Sequence, residues 1–163
     1  NGGYVTRDEV FERISYLLER IVPVAERCQV QLCCHLSDPP APMLRGVERW
    51  DWPVREGVER FLALYDSPYH GMNFCCGTAS EGMADPATEL LPLVRDLAER
   101  KRLFNIHYRN IVGGTLPGEV PNFPEVWPDE GDVNMPSLAK TLFPAIGAQG
   151  AVTLRLVFAA MKC

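Results

Sequence analysis

Three short apolar runs in this sequence end in side chains that could do chemistry. "VQLCCH" closes on His35, "MNFCC" on Cys75 and Cys76, and "LFNIHYRN" carries His107 and then Arg109. Imidazole and thiolate suit a divalent transition metal, and a catalytic site built from them keeps one coordination position open. Successive side chains on a strand point to opposite faces. Only one of Cys75 and Cys76 can therefore point where the histidines do, and His107 and Arg109 share a face that Tyr108 does not. Each residue also has a plainer reading. A strand-end histidine is more often held by hydrogen bonds, and a buried cysteine is more often a small hydrophobe. Recurrence at equivalent places in successive repeats weighs against the plain reading. His70, in "SPYHGMNF", precedes its run and reads as structural, while Cys28, Cys33 and Cys34 read as packing.

The elements that must position these residues follow from periodicity. Thr6 and Glu9 have capping-box spacing. Val10, Ile14, Leu17, Leu18, Ile21 and Ala25 then form a helical stripe, with a kink expected at Pro23. A strand over Val30–His35 is followed by "LSDPPAPMLRG", whose prolines and glycine predict no regular structure. The cycle repeats with a helix over Val54–Asp66, a strand at "MNFCC" and a loop at "GTASEGMADP". It repeats again with a helix over Ala87–Lys101, bearing Leu90, Leu91, Val94 and Leu97, and a strand over Leu103–Asn110. A Gly/Pro-rich loop from Gly113 to about Asp132 leads to the last helix, "MPSLAKTLFPAIG". The tail "AVTLRLVFAAMKC" reads equally as a strand or a helical end.

Continuous apolar strands alternating with helices predict βα units around a parallel sheet. The fold class is α/β, a doubly wound layer or part of a (β/α)₈ barrel. A whole barrel takes about 250 residues, so a 163-residue chain supplies part of one, as a single domain over 1–163. Such folds keep their chemistry where strands end. Asp38, Glu125, Asp129, Glu130 and Asp132 lie close enough in sequence to strand ends to reach a site.

Composition narrows the function classes. A net charge of −5 with no Lys/Arg block argues against a nucleic-acid partner. No apolar run is long enough to span a membrane. Six cysteines inside apolar runs, without paired CxxC spacing, fit a reduced, cytoplasmic setting better than a disulfide framework. The chain opens without methionine and almost directly into a helix, as a piece of a longer protein or a processed terminus would.

"HLSDPPAPMLRG", "GMNFCCGTASEG", "NIHYRNI" and "NFPEVWPDEGDVNM" resemble, in order and spacing, the C-terminal half of mannonate dehydratases, over roughly residues 2–146. The resemblance implies a xylose-isomerase-like barrel and loss of water from D-mannonate to give 2-keto-3-deoxy-D-gluconate, in hexuronate catabolism. It implies Mn²⁺, or Fe²⁺, on His35, Cys75 and His107, with Cys76 left as packing. Arg109 would hold the substrate carboxylate, Asp38 would contact substrate, and Tyr108 and Glu125 are candidate proton donors.

Three departures from the family pattern stand out. Leu36-Ser37-Asp38 replaces Pro-Asp-Asp, Asn134 replaces an aspartate, and residues 147–163 hold no Asp, Glu or His where a Pro-Asp-His strand would supply a fourth ligand. A divergent tail over 147–163 is therefore expected, and an open half-barrel would favour homo-oligomers. Two other functions remain open. A sugar isomerase or epimerase would need paired carboxylate ligands, which are not apparent, and the chain could also be a non-catalytic fragment.

Overall fold

The computed structural model describes residues 3–114, 122–149 and 153–155, and within them helices alternate with strands of one parallel sheet. In chain order the elements are α1 (Arg7–Cys28), β1 (Leu32–His35), β2 (Met43–Leu44), β3 (Val47–Glu48) and α2 (Val54–Ala63). There follow β4 (His70–Cys75), α3 (Cys76–Glu81), α4 (Pro86–Glu99), β5 (Leu103–His107), β6 (Asn110–Ile111), β7 (Glu125–Val126), α5 (Met135–Gln149) and β8 (Thr153–Arg155). The main sheet runs β1-β4-β5-β8 with every neighbouring pair parallel. β2–β3 and β6–β7 are small antiparallel ribbons in the loops after β1 and β5.

Local chemistry explains most boundaries. α1 starts at the expected capping box, in which Thr6 accepts from the Glu9 amide and Glu9 reaches back to the Thr6 amide. It runs on through Pro23 to Cys28 and stops where Gln29 takes a left-handed conformation (φ 54°). Phe11, Leu18, Val22 and Ala25 are its buried residues, whereas Leu17, placed in the stripe from sequence, is exposed. α4 buries Leu90, Leu93, Val94 and Leu97 completely, each worth about 1.5–3 kcal/mol of apolar burial. These pack with Met72 and Phe74 of β4, Ile106 of β5 and Leu138 of α5 in one core.

Several expectations change. "GTASEGMADP" is not a loop throughout, since its first residues form α3, and Cys76 opens that helix rather than closing β4. The proline-rich stretch after β1 contains β2, and β5 stops at His107. Cys28 and Cys33 are exposed rather than packed, and Cys34 is half-buried. The cysteines among the described residues are free thiols. In the tail, Thr153–Arg155 pairs with β5 as a strand, while 150–152 and 156–163 lie outside the described residues.

A register shift matters for the site. Met72 pairs with Leu103 but the next residue, Asn73, pairs with Asn105, so Phe104 is an extra residue in β5. Gly71 accommodates it, because a Cβ there would come within 2.7 Å of the Phe104 ring. Without the bulge Cys75 would lie opposite Ile106; with it Cys75 lies opposite His107.

Just beyond β5, buried Asn110 ties down the loop that leads to α5. Its amide donates to the carbonyls of Pro128 (2.8 Å) and Val133 (2.9 Å), and its oxygen accepts from the Val133 amide. Asn110→Ala strands these groups, and should lower unfolding free energy in urea by about 2–4 kcal/mol and speed proteolysis near residues 127–133. A loss under about 0.5 kcal/mol, the range of a neutral surface change, would mean that the loop is held elsewhere.

Candidate metal centre

Parallel pairing puts the C-terminal ends of β1, β4 and β5 on one edge, and the register puts Asn73, Cys75, Asn105, His107 and His35 on one face of the sheet. His35, Cys75 and His107 each offer a ligand atom, and these atoms all lie within 4.8 Å of one another. The His35 and His107 rings stand 5.0 Å apart, with His35 Nε2 3.2 Å from His107 Nδ1. His35 Nδ1 lies 2.6 Å from the Leu36 carbonyl. A carbonyl can only accept, so Nδ1 carries the proton, and in the neutral ring Nε2 keeps its lone pair for a ligand.

Cys75 is buried, which alone would push its thiol upward, yet interactions with His35, Thr78 and Arg109 outweigh burial and lower its pKa from the usual 9.0. Cys76 behaves oppositely. Fully buried in the core beside α4 and the sheet, it is held far on the thiol side by desolvation. His35 is raised, first by its hydrogen bond to Cys75, against the opposing effect of burial. The donor set of one activated thiol and two imidazoles fits a borderline-soft divalent cation.

Arg109 lies beside this triad. Its Nη1 is 3.8 Å from Cys75 Sγ and donates to Thr78 Oγ1 at 3.1 Å. Nη1 also meets Asp38 at 3.5 Å, Nη2 meets Glu81 at 2.6 Å, and Nε pairs with Glu125. The structure therefore brings together His35, Cys75, His107, Arg109 and Asp38, with Glu125 at the margin. It does not bring Tyr108: that hydroxyl donates to the Met135 carbonyl at the start of α5, and the ring packs against the core. His70 bonds the Phe61 carbonyl (3.1 Å) and packs on the Phe61 ring, away from the triad's end of the sheet. Asp132 accepts from the Gly113 amide, and Asp129 and Glu130 are exposed in the loop before α5. Asn134 accepts from the Ser137 amide (3.0 Å) at the start of α5, a capping role that Asn and Asp fill equally well.

Three residues at the site were missed in the sequence: Gly77, Thr78 and Glu81. Their three- and four-residue spacing puts them on one face of α3, a signal available only once that segment is read as helix. Gly77 has no Cβ because one would lie 2.7 Å from Arg109 Cγ and 2.8 Å from Cδ. Glu81 is fully buried. Burial, then the charges of Asp38 and Glu125, push its pKa to about 7 despite the opposing pull of Arg109.

Fold and site define the chain first as a (β/α)-barrel-type protein with its polar side chains at the C-terminal edge of a parallel sheet. Comparison then assigns it to the D-mannonate dehydratase (UxuA) family, to which it belongs: the family's sequence model matches residues 3–146. It is 36% identical over 107 residues to a mannonate dehydratase from Thermotoga petrophila, covering 66% of this chain and 28% of that one. It is 29% identical over 140 residues to one from Streptococcus suis, covering 85% of this chain and 36% of that relative. The crystal structure of mannonate dehydratase from Streptococcus suis serotype 2 superposes with a TM-score of 0.75 at 26% identity, over 93% of this chain and 40% of the other. The chain thus spans about a third of the length of the relatives it matches. No helix among the described residues is long and apolar enough to cross a membrane.

Two outcomes test this description. Gly77→Ala should cost about 1–3 kcal/mol of stability through the clash with Arg109, and most of that cost should vanish in an Arg109→Ala background. An equal cost in both backgrounds would remove Arg109 as the cause. Glu81, with its folded pKa raised from 4.5 to about 7, binds more proton when folded, so its contribution favours the fold at low pH and is lost as pH rises through 7. Glu81→Gln should therefore flatten the fall in urea stability between pH 5 and pH 8; an unchanged slope would contradict the assignment.

Proposed function

We propose that this chain carries the metal- and carboxylate-binding part of a D-mannonate dehydratase, with His35, Cys75 and His107 holding a divalent metal, Mn²⁺ or Fe²⁺. The observation that supports this most is the convergence of the three ligand atoms within 4.8 Å, beside an arginine, in a chain of this family. When bound, the metal would supply Lewis-acid polarisation of substrate oxygen.

The chain's own residues would supply part of the remaining chemistry. Dehydration of an aldonate removes a proton from the carbon bearing the carboxylate and a hydroxyl from the next carbon, and the enol formed becomes the 2-keto acid. A proton beside a carboxylate is weakly acidic, so negative charge gathering on the carboxylate must be stabilised. Arg109 would do this through its always-charged guanidinium, held by Glu81. Asp38, on the loop after β1 and partly exposed, can accept a substrate hydroxyl while joined to Thr78 and Arg109. Glu125, on the β6–β7 ribbon and paired with Arg109, would be the carboxyl group that passes a proton at the site's margin. Tyr108, with its hydroxyl on the Met135 carbonyl, fits the anchoring of α5 better than proton transfer. Free thiols throughout the described residues suit a reducing, cytoplasmic setting.

A second reading is a chain that binds metal without turnover. It is favoured by the strand beside β5, Thr153–Arg155, which has no carboxylate or imidazole to act as a fourth ligand.

Purification in Mn²⁺ buffer should leave near-stoichiometric metal on the chain. Cys75→Ser and His107→Ala should each weaken binding by more than the roughly 10–100-fold that loss of a group behind a ligand costs. Arg109→Ala should keep the metal but weaken D-mannonate binding about 10–100-fold. Formation of a 2-keto acid from D-mannonate by the loaded chain decides for turnover, and its absence decides for the second reading. Unchanged metal content in both ligand variants would overturn the site itself.

A further inference from the structure

Arg109 is surrounded by protein acceptors that differ in one decisive respect. Glu81 meets Nη2 at 2.6 Å with a fully buried side chain, whereas the side chains of Glu125 and Asp38 are 26% and 48% exposed. A carboxylate in contact with water can exchange its partner for solvent when another anion arrives. A buried one cannot, because separating it from its cation leaves an uncompensated charge. The second oxygen of Glu81, Oε2, is buried with no hydrogen-bond partner among the described residues, so Arg109 is what its charge answers to.

Stability alone does not explain a glutamate at this position. An apolar residue of similar size in a buried place is commonly as stable as an ion pair. The surroundings of Glu81 are organised around the arginine instead. Gly77 leaves room for the Arg109 stem, Thr78 accepts from Nη1, and Glu81 takes Nη2, all from the single short helix that begins one residue after Cys75. The helix therefore sets where the guanidinium lies relative to the Cys75 sulfur, 3.8 Å from Nη1.

We propose that Glu81 is the positioning residue of Arg109. It anchors Nη2 from the buried side, so that Nη1 and Nε, which meet the more exposed Asp38 and Glu125, are the donors released to a ligand carboxylate. The anchoring itself stands on geometry, and its relevance to substrate rests on the reading of Arg109 as the carboxylate-binding residue.

The direct test is the guanidinium carbon–nitrogen NMR spectrum of Arg109, assigned by its loss in Arg109→Lys. An anchored Nη2 stops rotation about the Nε–Cζ bond, so the wild-type chain should show two separate Nη signals. Glu81→Gln should merge them while leaving the backbone spectrum and Mn²⁺ content unchanged. Glu81→Asp, which keeps the charge but withdraws it by one methylene, serves for the comparison if the glutamine variant does not fold.

Merged Nη signals in the wild type, or signals still separate in the Glu81 variant, would overturn the proposal. A second arm addresses substrate. Glu81→Gln should weaken D-mannonate binding about tenfold in the wild-type background and not at all in Arg109→Ala; an equal loss in both backgrounds would also overturn it. If the wild-type chain shows two Nη signals but binds no D-mannonate, the substrate reading fails while the anchoring stands.

Discussion

Parallel pairing of β1, β4 and β5 is the constraint on which everything else depends. Parallel strands end on the same edge, so three residues far apart in sequence meet there if each closes its strand. The pairing also ties the site to the core. Met72, Phe74 and Ile106 fill the space under the helices from one face, and the alternate residues Asn73, Cys75, Asn105 and His107 are thereby committed to the other. A slip of one residue would reverse both sets, exposing the core and burying the polar face. The bulge at Phe104 is the one departure from regular pairing between β4 and β5, and it sets Cys75 against His107.

Two short stretches after the strands complete the arrangement. α3, directly after Cys75, supplies Gly77, Thr78 and Glu81 to the Arg109 side chain. Directly after Arg109, Asn110 fixes the loop into α5. Arg109 is thus held at the side chain by one strand's exit and at the backbone by its own. Burial raises the cost of every charge here, and the structure meets that cost by pairing: thiol with imidazole, guanidinium with carboxylates.

The sequence makes the alternation of elements plain, because strands buried on both faces are continuous apolar runs and helices carry a periodic stripe. The same logic makes His35, Cys75, His107 and Arg109 legible: they follow apolar runs and are chemically conspicuous. Other features leave little trace. α3 is a six-residue helix flanked by glycine, too short for periodicity to show. Glu81 is a residue type that usually faces water, so its complete burial is visible only in three dimensions. Nothing in "LFNIH" marks Phe104 as an extra residue, and the two-residue strands β2, β3, β6 and β7 are below any periodic signal. The alternation rule kept Tyr108 off the face of His107 and Arg109, and its hydroxyl meets the Met135 carbonyl, although it was also a candidate proton donor.

The proposed metal site joins the three strand ends, with Cys75 as a ligand beside His35 and His107. Loading the chain with Co²⁺ tests it most directly, because a thiolate bound to Co²⁺ gives a near-ultraviolet charge-transfer band that imidazole and carboxylate do not. That band should appear in the wild-type chain, saturating at one equivalent, and be lost in Cys75→Ser. Saturating Co²⁺ without the band, or a band that survives Cys75→Ser, would contradict it.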